Sequence, residues 1–527
     1  MRRAFFSPPG KDYFMNPTIE MIIKVAMLVL FFGVMIAVGI VCRKKATDVN
    51  SFVLGGRSVG PWLTAFAYGT SYFSAVIFIG YAGQFGWKFG IASTWIGIGN
   101  ALIGSLLAWV VLGRRTRLIT QKLGSATMPD YFGKRFESSA LKIIASLIVF
   151  VFLIPYTASL YNGLSRLFGM AFGIDYVWCI VIMSILTCVY VVVGGYMATA
   201  VNDFIQGIIM LIGIVAVIAA VLNGQGGFTA AIEQLAQVQG DSTMPGAYVS
   251  FFGPEAFDLL CVVILTSLGT WGLPQMVGKF YAIKDERSIQ KGTVISTVFA
   301  LIVAGGCYFL GGFGRLFDVD VKAEGYDAII PKMLENLPAI LIGIVVILVL
   351  SASMSTLSSL VLTSSSTLTL DLIKGNVAKK MKEKTQMSTM RVLIVFFVAI
   401  SAVIAILQYK VGIVYIAQLM GISWGALAGA FLAPYLFSLY WKRTTKASVF
   451  VCFAFGAGVM ILNMVAKNIF PVWLQSPINC GAFTMLAGFI IVPLVSILTP
   501  KPKKEFLDET FSCYDREVKA SAKDHLE

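Results

Sequence analysis

Charge is what this chain has least of. Only 13% of its residues are Asp, Glu, Lys or Arg, about half the share found in an ordinary soluble domain, while 57% are hydrophobic. So little charge cannot cover a water-facing surface over 527 residues, so the outer surface must face lipid. Histidine is nearly missing. The single copy, His525, lies in the polar tail, where a solvated role is the simplest reading. Its scarcity leaves no histidine-based triad, no H-E-x-x-H and no Cys/His metal pattern, which limits the enzyme hypotheses. No G-x-x-x-x-G-K-[ST] loop occurs, so ATP is not the expected energy source. Eight cysteines include no C-x-x-C pair. Cys42, Cys179, Cys188, Cys261, Cys307, Cys452 and Cys480 lie in or beside apolar runs and Cys513 in the tail, a pattern of small buried side chains and not of a disulfide or metal framework. No N-x-[ST] site with an allowed middle residue is present, which favours a bacterial inner membrane. No cleavable signal peptide is evident, because the first apolar run is long enough to span.

What is present is a repeated apolar run. A membrane-crossing helix needs about 20 mostly apolar residues. That pattern recurs about thirteen times, near 18–42, 60–84, 91–113, 141–170, 176–194, 203–222, 256–280, 292–314, 336–372, 391–409, 413–440, 447–466 and 480–499. An all-α integral membrane protein is expected, with residues 18–500 as the transmembrane domain. The net charge of +14 sits in particular loops, so topology explains it and a nucleic-acid partner is not expected. Arg43, Lys44, Lys45 and Arg57 follow the first span. Arg114, Arg115, Arg117 and Lys122 follow the third, Lys284, Arg287 and Lys291 the seventh, and Lys374 to Lys384 the ninth. Residues 223–256 contain no Lys or Arg. The positive-inside tendency puts the basic loops in the cytoplasm. Residues 1–17 are then extracellular and 501–527 form a cytoplasmic tail. Met15 is a candidate start, and Arg2, Arg3 and Lys11 fit an outside location poorly.

Two spans carry polar, small-residue interruptions: Ala67-Tyr-Gly-Thr-Ser-Tyr-Phe-Ser74 in span two, and Thr266-Ser-Leu-Gly-Thr-Trp-Gly-Leu-Pro-Gln275 in span seven. Paired interruptions at matching places in two halves mark inverted-repeat transporters with broken helices; the alternative is close helix packing through small residues. Lipid offers backbone groups no partners, so an unwound segment lines a cavity or binds something. Span nine holds the richest set of hydroxyls, Ser351-Ala-Ser-Met-Ser-Thr-Leu-Ser-Ser359 and Thr363 to Thr367. Helical spacing puts Ala352, Ser355, Ser358 and Ser359 on adjoining faces. Such hydroxyls suit a hard cation, or else bond back to their own helix. Asp203, at the expected start of span six, is either a helix cap or a cation ligand at membrane depth.

Four stretches together resemble the sodium:solute symporter family, which includes proline, pantothenate, sialic acid and glucose symporters. They are Leu54-Gly-Gly-Arg-Ser-Val-Gly60, Ser74-Ala-Val-Ile-Phe-Ile-Gly80, Val193-Gly-Gly-Tyr-Met-Ala-Thr-Ala-Val-Asn-Asp-Phe-Ile-Gln-Gly207 and Met354-Ser-Thr-Leu-Ser-Ser359. Leu54–Thr64 and Met128–Glu137 look most like the proline branch. The resemblance implies a thirteen-helix, leucine-transporter-like bundle with two inverted five-helix repeats, here about 60–222 and 256–440. It implies a sodium site at Thr70, Phe73, Ala352, Ser355 and Thr356. It also implies a second site of the sialic acid kind at Asp203, Ser355, Ser358 and Ser359. The substrate positions depart from the branches. The proline branch has an acid where this chain has Tyr72, and aromatics where it has Val76, Thr266 and Thr270. The sugar branch has polar residues at Val76 and Ile77, and the sialic acid branch an arginine at Tyr156. A pocket of Ser71, Ser74, Val76, Tyr156, Trp271 and Gln275 is small and without fixed charge.

The expected function is therefore sodium-coupled import of a small amino acid such as proline, or of a monocarboxylate. The partners are the solute, Na+ and membrane lipid, and no cofactor is needed. Proton coupling and a transporter-like sensor remain as alternatives. A channel would need a filter, a signalling receptor an attached domain, and a membrane enzyme catalytic groups; none is evident.

Overall fold

The computed structural model describes residues 17–42, 48–240, 244–411 and 416–519. Met15, Arg43, Lys44, Lys45 and His525, singled out above, lie outside them. Every named element is helical, and the sole β feature among the described residues is an isolated bridge between Val59 and Ile283. We number the principal helices α1 (Pro17–Cys42), α2 (Pro61–Tyr72), α3 (Val76–Lys122), α4 (Ser139–Phe172), α5 (Tyr176–Gly224), α6 (Ala256–Leu268), α7 (Pro274–Tyr281), α8 (Glu286–Gly311), α9 (Ala339–Ser366), α10 (Glu383–Val411), α11 (Ile416–Tyr440), α12 (Lys446–Ala466), α13 (Pro477–Leu498) and α14 (Lys504–Phe511).

Among the described residues ten helices are long and apolar enough to cross a bilayer, or eleven when the bent pair α6–α7 counts as one. The sequence pattern suggests about thirteen, and the difference falls where helices break. Span two is split: α2 has 12 residues, and the rest of that span continues into span three as the 47-residue α3. A straight helix of that length would run about 70 Å, more than twice the hydrocarbon thickness. A corner at Gly90 (φ 63°, ψ −141°) divides it. Spans five and six are both in α5, which breaks at Gly195 (φ 58°, ψ −165°). Only glycine takes that backbone shape cheaply, and a Cβ there would stand 2.8 Å from the Phe52 ring.

α11 lies at the centre. Its most apolar window is 94% buried, and that of α9 78%, against 22% for α1. The outer helices therefore carry the lipid-facing surface, as exposed Ile22, Leu30 and Val41 on α1 and Ile490 and Leu498 on α13 attest. The inner ones pack through small residues. A Cβ on Gly86 would lie 2.0 Å from the Gly311 carbonyl oxygen, so α3 and α8 touch backbone to backbone. All eight cysteines are free.

On the basic-loop side, Arg57 is buried. Its guanidinium donates to Thr120 Oγ1 (3.2 Å), Thr120 O (3.3 Å), Ser125 O (2.6 Å) and Tyr281 O (3.2 Å). With the Val59–Ile283 bridge and Arg117 on Ile283 O (2.6 Å), it clamps the entry to α2 against the exit from α7. Lys142 on α4 joins Asp130 (2.7 Å) to Asp371 beyond the end of α9 (3.4 Å). The tail helix α14 folds back onto this side through Lys442–Asp508 and Lys122–Glu509. On the opposite side, Asp327, in the loop before α9, meets the start of α11. Its carboxylate accepts from the Ile416 amide (3.3 Å). Burial pushes its pKa up to about 6, against the opposing pull of Arg166 and that amide.

Gly86→Ala should cost on the order of 2 kcal/mol by overpacking, whereas Gly458→Ala, whose added methyl meets nothing within 4 Å, should be neutral or stabilising; thermal unfolding in detergent measures both. Because the Asp327 pKa is raised on folding, its contribution is full below about pH 4 and lost as pH rises through about 6. Across that interval wild type should lose about 3 kcal/mol relative to Asp327→Asn. Equal pH profiles for the two proteins would refute this.

Candidate functional site

The helix that begins at Pro61 ends at Tyr72, because Phe73 is extended (φ −83°, ψ 124°); helical order resumes at Val76. The second break repeats this form. α6 tightens into a 3-10 turn over Gly269–Gly272, Leu273 is extended (φ −85°, ψ 120°) and Pro274 opens α7. The two halves bend by 45°. Proline suits a helix start because it has no N–H to leave orphaned.

α9 lies against the first break and answers its freed groups. Ser353 Oγ accepts from the Ala75 amide (3.1 Å), which fixes where the helix restarts. Thr356 Oγ1 stands 3.2 Å from Thr70 O, 3.2 Å from Phe73 O and 3.1 Å from Ala352 O. Ser355 Oγ stands 3.0 Å from Thr70 O and 2.9 Å from Ala352 O. Five buried oxygens thus converge, three carbonyl and two hydroxyl. The two hydroxyls supply only two protons, while each carbonyl has two lone pairs. A cluster of acceptors that outnumbers its donors, without a formal charge of its own, is what a monovalent hard cation needs. The structure therefore brings together Thr70, Phe73, Ala352, Ser355 and Thr356, and their donor set fits sodium.

Asp203 is not at a helix start. It sits two turns into the segment that begins at Gly195, fully buried, and neither carboxylate oxygen has a hydrogen-bond partner within 3.5 Å. Capping is thereby excluded. Its nearest charge is the Lys279 ammonium, 3.8 Å from Oδ2. The same ammonium donates to Ser359 Oγ (3.0 Å) and stands 5.3 Å from the centre of the Tyr196 ring. Ser359 Oγ in turn is 2.8 Å from Ser71 Oγ on α2. Ser358 turns back to the carbonyl of Ser355 (2.8 Å).

The expected solute positions divide. Ser74 and Tyr156 are fully buried and near each other; neither hydroxyl has a partner within 3.5 Å. Tyr156 packs edge-on against Trp424 (5.9 Å between ring centres), as does Tyr72 at a tilt (5.7 Å). The Tyr72 hydroxyl and the Trp424 indole N–H also lack partners. Val76 is buried at the restart of the helix. Gln275, with both amide atoms unpartnered, lines a separate cavity of about 50 Å³ with Lys279, Ser359, Tyr196 and Thr199, next to Ala126 and Met128 of the basic-loop side. Trp271 commits its indole N–H to Ile103 O (2.9 Å).

Lys279 and Trp424 were missed from sequence. A lysine inside Pro274-Gln-Met-Val-Gly-Lys-Phe-Tyr281 is an ionisable group at membrane depth, which is itself a signal. Trp424, between Gly421 and Gly425 in a small-residue helix, is a bulky ring where its neighbours permit close approach.

The sodium:solute symporter family model matches residues 52–456. The osmoregulated proline transporter OpuE of Bacillus subtilis (strain 168) is 29% identical over 501 residues, covering 92% of this chain and 96% of that protein. A sodium/proline symporter of Staphylococcus aureus (strain JH9) is 30% identical over 498 residues, covering 91% and 92%. The solved structure of a Na+-coupled sialic acid symporter in a substrate-bound outward-open state shares the fold, with a TM-score of 0.72 at 18% identity over 92% of this chain and 99% of that one. The chain is a multi-pass membrane protein and belongs to the sodium:solute symporter family.

Proposed function

We propose that the chain imports a small solute bearing one carboxylate, an amino acid such as proline or a monocarboxylate, together with sodium and by alternating access. The observation that carries this reading is the five-oxygen cluster joining the broken helix to α9. Its ligands come from two elements, so an ion between them holds α9 against α2 and favours one arrangement of the bundle. Solute binding then couples to sodium binding through that shared state. A charge moving inward is worth about 2.3 kcal/mol per 100 mV of membrane potential, which is the work available for uptake. The inverted repeats run about 60–222 and 256–440. The basic loops and residues 501–527 face the cytoplasm of a bacterial inner membrane, and residues 1–17 face outside.

Tyr72, Tyr156 and Trp424 supply an aromatic, uncharged wall, with Ser74 beside it. The Thr266 and Thr270 hydroxyls are bonded to backbone carbonyls of Val262 and Gly104, so they are poor candidates for reading a solute. A solute carboxylate finds its partner in the amide-rich end of the helix that resumes at Val76. Two relatives named for proline support an amino acid of that size.

Sodium should raise the unfolding temperature of the purified protein relative to equal potassium or choline, by about 2.7 kcal/mol of stabilisation at a hundred times Kd. Ser355→Ala and Thr356→Ala should abolish the difference while the protein stays folded. Indifference to the cation in folded wild type would reject sodium coupling and return the chain to proton-driven transport or sensing. In proteoliposomes, a sodium gradient should drive proline uptake that pyruvate competes with, if the carboxylate is what is read. Trp424→Ala should lower uptake efficiency about tenfold, ~1.4 kcal/mol, the scale of one aromatic contact. Neither proline uptake nor competition by either class would reject the solute assignment.

A further inference from the structure

Asp203 is a fully buried acid whose carboxylate oxygens make no hydrogen bond within 3.5 Å. A buried carboxylate needs a counter-charge. Around it the structure gathers oxygens that could complete a cation site, Ser359 Oγ foremost, together with Ser71 Oγ across a 2.8 Å contact. What stands among them is not an open position but an amine. Lys279 Nζ is 3.8 Å from Asp203 Oδ2 and 3.0 Å from Ser359 Oγ, faces the Tyr196 ring at 5.3 Å, and is itself buried.

We propose that Lys279 is a tethered cation that takes the place of a second sodium ion, so that this transporter moves one Na+ per solute. The assignment rests on the sodium reading above. Lys279 and Asp203 together are neutral. Adding Na+ beside them would put two positive charges within a few ångströms in a poorly screened interior, with one carboxylate to offset both. The amine also uses Ser359 Oγ, an oxygen that an ion would need. Its tether has a mechanical consequence. Lys279 stands on α7, six residues past the Leu273 break, and reaches α5 through Asp203, α9 through Ser359 and, through Ser71, α2. A sodium ion in this place would leave with each cycle, whereas the lysine stays and links both broken helices to α9 in every state that keeps the contact.

The test is a count of sodium bound at saturation, by equilibrium dialysis of radioactive Na+ with the purified full chain. Wild type should bind one ion. Lys279→Gln should bind two, with a sodium Hill coefficient moving from 1 toward 2, and Lys279→Gln/Asp203→Asn should return to one. Asp203→Asn alone, with Lys279 retained, should stay at one. Two ions in wild type, or one in folded Lys279→Gln, would overturn the proposal while leaving sodium coupling intact. Loss of the single ion in Asp203→Asn would overturn it as well, by making Asp203 a ligand of the transported sodium; this variant decides the matter even where Lys279→Gln does not fold. No sodium bound by wild type would remove the sodium reading and this proposal with it.

Discussion

Inside a bilayer an unwound turn persists only if its freed carbonyls and amides find partners within the protein. Spans two and seven unwind in this way, at Phe73 and at Leu273, and α9 packs against the first of these breaks. α9 is polar where it faces the first of them and nowhere does it meet lipid over that stretch, since residues 351–360 are all buried. Its hydroxyls answer the break from one side. The hydroxyls are fewer than the acceptors they face, so the arrangement that makes the unwinding tolerable also leaves acceptor oxygens in excess.

The breaks need fixed ends as well as filled centres. Arg57 and the Val59–Ile283 bridge tie the beginning of α2 to the end of α7, so the two broken helices are joined on the basic-loop side. From loop position alone Arg57 reads either as one more positive charge setting topology or as a residue closing the cytoplasmic gate. In the fold it is buried and satisfied by three carbonyls and a hydroxyl, a guanidinium fork matched to several acceptors at once.

Glycine does the corresponding work in the apolar interior. Where lipid offers no hydrophobic drive between helices, association depends on close packing, and the Gly86–Gly311 contact brings two backbones together. Within that packed interior Tyr72 and Tyr156 meet on the Trp424 ring, and their hydroxyls, the Ser74 hydroxyl and the Trp424 indole N–H are left without partners.

Much of this was legible in the residues. Apolar runs of membrane length, the two interrupted spans and the hydroxyl-rich stretch Ser351–Ser359 follow from composition and period, because burial in lipid punishes every stray polar group and so makes the retained ones informative. Ser355, Ser358 and Ser359 could be singled out for that reason, whereas Thr356, Thr70 and Phe73 are named only through the family resemblance. The convergence of Ser355 and Thr356 with Thr70 O and Phe73 O could not be derived from spacing, because carbonyls carry no sequence signature and the bonded pairs lie 283 to 286 positions apart. Separation along the chain also hid the Lys279–Asp203 pair. In one dimension each is a lone ionisable group, and Asp203 could pass for a helix cap until the break appeared at Gly195, two turns earlier. The number of spans was blurred for a related reason: hydropathy measures where apolar residues are, whereas a break at Phe73 or Gly195 depends on which neighbour is present to satisfy or crowd the backbone. The sequence by itself determined that this chain lives in a membrane and where its chemistry must be kept; only the tertiary structure decided which oxygens meet and which charge faces Asp203, because those depend on contacts between helices that no local pattern encodes.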